Sequence, residues 1–277
     1  MTATLQATVV GIGFWSPSLP GWPIARDVLL GLGAPPAGPP ARVSPRLLPP
    51  NERRRAPDTV AIALEVAGSA CEMAGIDPRS LPSIFASTHG DLPINDYMCS
   101  TLASTPTLCS PTKFHNSVHN AAAGYWTIGT GCVKPSTALT AWHDTFANGL
   151  LEALVQATAE AEPVLYVCYD VEARGPLAAV TPSRGLLAAS LVLDPRMESS
   201  GARRPRLECS IEGEPSSQDA RKGVPSPWAD LVPENAMRPC LSLLGALAAD
   251  FDSTIQFGLG PGCRLVVTVK ADNARGL

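Results

Sequence analysis

No apolar run in this chain of 277 residues approaches the length of a membrane-spanning helix. A stretch such as residues 186–193 is short against the roughly 20 residues that cross a bilayer, so no membrane span is expected. An extended basic stripe is missing too. Lys and Arg number 21 against 25 Asp and Glu, and the basic residues gather only in short clusters such as Arg53-Arg54-Arg55 and Arg203-Arg204. Nucleic acid is therefore not an expected partner, and the arginine clusters read first as solvated surface. Residues 1–15 hold no Lys or Arg ahead of their apolar positions. That is unlike the charged opening of a secretory signal, and the expected location is cytoplasmic.

Zinc-ligand spacing is absent as well. The eight cysteines, at 71, 99, 109, 132, 168, 209, 240 and 263, contain no C-x-x-C pair, and reduced core thiols are the expectation. His115 and His119 stand four apart, but no H-E-x-x-H or paired cysteine supplies a third ligand. No metal is expected. There is no G-x-S-x-G serine elbow, and Gly11-Ile12-Gly13 lacks the third glycine of a dinucleotide loop, so hydrolase and Rossmann readings have no anchor. No cofactor is expected either.

What remains is an ordinary globular balance, 45% hydrophobic and 17% charged, with enough apolar surface to offset the entropy of ordering the chain. Residues 5–14 read as a buried first strand, and a short helix is expected near 25–32. The prolines of residues 34–50 exclude both helix and ladder there. From Pro57, at a tolerated first-turn position, the pattern is helical, with Asp58 favouring the positive helix end, Val60, Leu64, Ala67 and Cys71 on one face and Gly75 as the stop. Residues 83–87 predict a strand, and 95–103 and 117–130 predict helices, the last rich in small residues that permit close packing. A strand over 136–142, a strongly patterned helix over 144–159 and a strand over 164–168 complete an alternating α/β series. Strands are expected at 186–193, 207–211 and 265–270, with a helix at 236–250. The polar segment 212–234 reads as a loop insertion in a single domain spanning 1–277.

One stretch is more specific than periodicity. It runs Ser110-Pro111-Thr112-Lys113-Phe114-His115-Asn116-Ser117-Val118-His119-Asn120-Ala121-Ala122-Ala123-Gly124-Tyr125-Trp126-Thr127-Ile128, followed by Pro135-Ser136 and Asp144-Thr145-Phe146-Ala147-Asn148-Gly149-Leu150. In the order of these elements the chain resembles the β-ketoacyl-synthase-like chain-length factors of aryl polyene clusters, most closely over residues 5–170. The resemblance implies an α/β thiolase-like fold made of the ketosynthase N-terminal repeat and a reduced C-terminal part. In that family the strand after the small-residue helix ends at a nucleophilic cysteine, whose position falls on His143 here. A thiolate there is stabilised by the helix dipole and free N–H groups. An imidazole does not replace it in thioester transfer, because an acyl-imidazole hydrolyses readily. The family's two later catalytic histidines have no counterpart, since His89, His115, His119 and His143 are all the histidines present.

The resemblance therefore implies a non-catalytic subunit that forms a heterodimer with an active β-ketoacyl synthase and meets acyl carrier protein through that complex. It also implies that Ser117, His119, Asn120, Gly124, Trp142 and His143 belong to the family motif and interface. His89, Met98 and Phe114 would lie around the far end of the partner's acyl channel. The alternatives are a free-standing acyltransferase or thiolase-like enzyme using His119 or His143, and a homodimeric binding module.

Overall fold

The structure is a computed structural model that describes residues 4–38, 43–181, 183–196, 204–213, 231–232, 234–249 and 251–271. Its strands are β1 (Leu5–Trp15), β2 (Ser83–Ala86), β3 (Ser136–Leu139), β4 (Val164–Asp170), β5 (Leu187–Asp194), β6 (Arg206–Gly213), β7 (Ser253–Gly260) and β8 (Cys263–Lys270). They form one sheet in the order β3-β2-β4-β5-β1-β6-β8-β7. β2 pairs in parallel with both β3 and β4, whereas β5 runs antiparallel between β4 and β1. β6, β8 and β7 extend this same sheet by antiparallel pairing, so the C-terminal part adds an edge to the first layer and not a second repeat.

The helices are α1 (Trp22–Leu29), α2 (Pro50–Arg55), α3 (Asp58–Ala74), α4 (Leu92–Ser104), α5 (Pro111–Asn116), α6 (Ala121–Thr130), α7 (Thr145–Glu160) and α8 (Cys240–Ala248). α3 and α6 cover one face of the sheet, where Ile62, Phe85, Trp126 and Val192 share a core. α1, α7 and α8 cover the other, around Phe146, Leu150, Tyr166 and Leu244. With both faces covered, β4 is buried along its whole length and carries no polar alternation.

α3 shows how the sequence sets this packing. Asp58 lies in its first turn and Gly75, at φ 67°, ends it in the left-handed conformation that a side chain disfavours. The helix rides directly on β1. A Cβ at Gly11 would stand 2.0 Å from the Ala70 carbonyl oxygen, and one at Gly13 would stand 2.1 Å from that of Val66. The Ser190 hydroxyl of β5 donates to the same Val66 oxygen at 2.7 Å. Gly11 and Gly13 thus serve helix-on-strand contact.

Several boundaries differ from expectation for local reasons. The helix expected over 117–130 begins at Ala121, because α5 closes at Asn116 with the Ser117 hydroxyl donating to the Phe114 carbonyl at 2.8 Å. α5 itself carried a readable signal, Ser110 at its cap accepting from the Lys113 N–H and Pro111 in its first turn. The strand expected to reach Trp142 stops at Leu139. β6 continues through Glu212 and Gly213, which pair with Arg264 and Cys263; of the expected 212–234 loop, residues 214–230 and 233 lie outside the described residues. α2 and β7 were not expected. Among the described residues, no helix is long and apolar enough to cross a membrane.

Candidate functional site

β2, β3 and β4 are parallel and in near register, so their C-terminal ends share one rim, the place where open α/β sheets bind ligands. Three short segments meet there. The first follows β2. Asp170, at the end of β4 and almost fully buried, accepts from the Ser87 hydroxyl at 2.8 Å, the Thr88 N–H at 2.9 Å and the His89 N–H at 3.4 Å. Burial pushes its carboxyl up to about 6 against the pull of those hydrogen bonds. Gly90, at φ 66°, completes the turn by donating its N–H to the Ser87 hydroxyl at 2.9 Å. Asp91 then caps α4, accepting from the Ile94 N–H at 2.8 Å and from the Thr59 hydroxyl at 2.6 Å.

The second segment is the elbow after β3. The Thr140 hydroxyl donates to the Thr88 carbonyl at 2.9 Å, tying elbow to rim. The Thr145 hydroxyl donates to the Trp142 carbonyl at 2.6 Å and accepts from the Ala141 N–H at 3.0 Å. Within this turn Trp142 is held at φ 53°, a region a bulky residue rarely enters. β7 braces the elbow from the other side. A Cβ at Gly258 would stand 2.6 Å from the Asp144 carboxylate, and the Asn148 amide donates to the carbonyls of Asp144 at 2.9 Å and Leu259 at 3.3 Å.

The third segment, following β4, crosses over the first. His89 Nε2 lies 3.1 Å from the Thr181 hydroxyl, and the buried Ser183 hydroxyl donates to the Val171 carbonyl at 2.8 Å. The Asn235 amide donates to the carbonyls of Asp170 and Arg184, each at 3.2 Å, and its oxygen accepts from the Met237 N–H at 2.9 Å. Asp170, Thr181 and Asn235 are thus the residues that organise the rim. None was marked by a motif.

The expected site residues separate into distinct environments. His89, Trp142 and His143 come together: the Trp142 ring is 5.2 Å from His89 and 5.0 Å from His143. Burial lowers the pKa of the half-buried His89, and His143 and His119 lower it further. His143 is exposed in the turn ahead of α7. His119 lies between α5 and α6 and not on one helix with His115; its Nε2 donates to the Ser87 carbonyl at 2.8 Å. Asn120 is exposed at the start of α6 and its side chain makes no capping bond. A Cβ at Gly124 would meet open space. Met98 is buried on α4, with Cys109 Sγ 3.5 Å from its sulfur, whereas Phe114 on α5 is 65% exposed. Among the described residues, no group of three or more His, Cys, Asp or Glu is placed to hold a metal.

Strand order, covered faces and the strained elbow define a thiolase-like α/β protein. The model of the β-ketoacyl synthase N-terminal domain matches residues 34–226, well over half of the sequence, and the chain belongs to this family. No curated protein sequence matches it. Among solved structures, the complex of the ketosynthase ApeO with its chain length factor ApeC from Xenorhabdus doucetiae contains a chain 22% identical, with TM-score 0.68. That match covers 95% of this chain and 99% of the other. The ishigamide ketosynthase/chain length factor gives 13% identity and TM-score 0.70, covering 96% and 99%. A β-ketoacyl synthase from Burkholderia phymatum gives 13% and 0.57, covering 79% of this chain and 66% of that one. At these identities the likeness is one of fold.

Proposed function

We propose that this chain is a non-catalytic, chain-length-factor-type subunit that pairs with an active β-ketoacyl synthase and closes the acyl channel during elongation on acyl carrier protein. The reading rests on the elbow. Where the resembled family carries its nucleophilic thiol, this turn carries His143, and no histidine follows it in the sequence. A thiolate at that position would draw on the dipole of α7, whereas an exposed imidazole offers no stable acyl carrier.

The chain spans nearly all of its matched chains in two ketosynthase–chain length factor structures but about two thirds of the synthase from Burkholderia phymatum. A partner surface is available beside the elbow. β3 ends the sheet, and among the described residues its outer edge pairs with no strand. Next to it Ile128 and Val133 are 85% and 96% exposed, and such aliphatic surface beside an open strand edge favours association. In this reading Ser117, Asn120 and Gly124 belong to the interface with the partner, and Phe114 on α5 is exposed. In this arrangement His89, Met98 and Phe114 surround the far end of the partner's channel. The chain acts as one domain over 1–277, in the cytoplasm. Co-expression with a β-ketoacyl synthase from the same genome tests the pairing. The expected result is a stable one-to-one complex, and a well-folded chain that shows no affinity for that synthase overturns it.

A further inference from the structure

We propose that Asn148 and Gly258 are positioning residues: they hold the edge strand β7 against the elbow, and this contact fixes the elbow in the form that meets the synthase. The inference rests on the pairing proposed above and extends it to the far edge of the sheet. β3 and β7 end the sheet on opposite sides, with six strands between them. Both nevertheless reach the start of α7, because the sheet curls round that helix, which touches β1, β2, β4, β5 and β7. β3 runs straight into the elbow, and β7 returns to it from the other side. There Phe257 of β7 packs edge-on against Phe146 in the first turn of α7, their ring centroids 5.2 Å apart.

A bulge makes the contact possible. Gly258 pairs with Arg264 and Gly260 with Cys263, which leaves Leu259 as an extra residue outside the ladder. Gly260 stands at φ 141°, a conformation that a side chain disfavours. Bulges at sheet edges re-aim a group out of the ladder, and here the Leu259 carbonyl meets Asn148. The Asn148 amide joins that carbonyl, at 3.3 Å, to the Asp144 carbonyl, at 2.9 Å, so one side chain fastens β7 to the end of the elbow. Asp144 stands at the cap position of α7, yet its side chain makes no capping bond and lies instead against Gly258. These contacts bear on the turn just before them. The φ of 53° at Trp142 persists only where neighbours over-determine it. Thr140 secures the turn on the rim side and Thr145 closes it locally. β7 secures it downstream, at residue 144. With β7 displaced, the turn loses one of its supports and relaxes, shifting the exposed Trp142 and the end of the open β3 edge.

The test measures affinity for the synthase beside thermal unfolding, with the full-length chain. Asn148→Ala removes the bridging amide and is expected to weaken pairing about five-fold in a chain still folded by circular dichroism. At Gly258 one added methyl would leave the Asp144 carboxylate free to swing aside, so the variant is Gly258→Val, whose branched side chain suits a strand backbone. It is expected to weaken pairing about ten-fold. Adding Asp144→Ala to Gly258→Val removes the opposing carboxylate and should restore the affinity to within about three-fold of the unaltered chain. Thr254→Ala, exposed near the other end of β7 and paired with Thr268, should leave pairing unchanged. If Gly258→Val does not fold, Asn148→Ala decides. Unaltered affinity in folded Asn148→Ala or Gly258→Val overturns the proposal, as does a Gly258→Val defect that Asp144→Ala leaves in place. An equal defect in Thr254→Ala also overturns it, because general weakening of the β7–β8 hairpin then accounts for the loss. An unaltered chain that does not pair refutes the subunit function and this inference with it, whereas pairing indifferent to these variants refutes the positioning role alone.

Discussion

Replacing Asp170 with Asn sets two effects of similar size against each other. In the native protein the buried carboxyl is pushed up to about 6. Relative to an ordinary value of about 3.9, that corresponds to about 3 kcal/mol of unfavourable ionisation at pH well above 6. Asn removes this cost. It also turns one acceptor oxygen into an NH2 group, which cannot accept from the Thr88 N–H that Asp170 now receives at 2.9 Å. Losing a bond to a charged acceptor and leaving a buried donor unpaired costs about 1.5–3 kcal/mol. Near pH 7.5 the two nearly cancel, and Asp170→Asn is expected within about 1.5 kcal/mol of the native protein. The pH dependence separates them. A carboxyl with a raised pKa holds its proton more tightly when folded, so its stabilisation is fully present below the unfolded pKa and is lost as pH rises through about 6. From pH 7.5 to pH 5 the native protein should therefore gain about 1.4 kcal/mol from this group, a gain that the variant lacks. The lowered pKa of His89 acts in the opposite direction, but it is common to both proteins and drops out of the comparison. Urea unfolding of both at pH 5 and pH 7.5 measures the difference. A native-minus-variant stability that does not change with pH refutes the reasoning.

Gly13→Ala drives a Cβ to 2.1 Å from the Val66 carbonyl oxygen and so must lift α3 from β1. A loss of about 3 kcal/mol, or of soluble expression, is expected in thermal melts. Gly124→Ala meets open space and should leave the isolated chain as stable or up to about 1 kcal/mol more so. The same substitution should weaken binding to the synthase in a titration if α6 faces it. In a reconstituted pair, Phe114→Ala should lengthen the product read by mass spectrometry at a near-normal rate, since an exposed side chain leaves no core cavity. Met98→Ala should combine longer product with a stability loss of about 2–5 kcal/mol, because Met98 is buried. Unchanged product length in both removes them from the channel.

Long periodic elements were legible because their pattern is local. α3, α7 and β4 each carry their apolar face, cap or burial in consecutive residues. The rim was not. Asp170 acquires its role from Ser87 and Thr88, more than 80 positions earlier in the chain, and nothing in the local pattern around it announces a buried carboxylate. The elbow misled for a related reason. Residues 136–142 have strand composition, but the hydroxyls of Thr140 and Thr145 turn the chain after Leu139. Gly11 and Gly13 were visible as a pair, yet their purpose depends on α3, which arrives from about 50 residues away. That residue 143 is a histidine needed no structure, and its standing at the family's nucleophile position is what the resemblance implies. What the fold adds is that His143 sits on an exposed turn beside a strained tryptophan, with Asp170 fixing the adjoining loop.

Condensation assayed with malonyl and acyl carrier protein thioesters tests the central claim most directly, with the chain alone, with its synthase partner, and with a partner whose nucleophilic cysteine is replaced. The account predicts β-ketoacyl product only from the pair with an intact partner, at an unchanged rate when His143→Ala is introduced here. Turnover by the isolated chain that disappears in His143→Ala would contradict it.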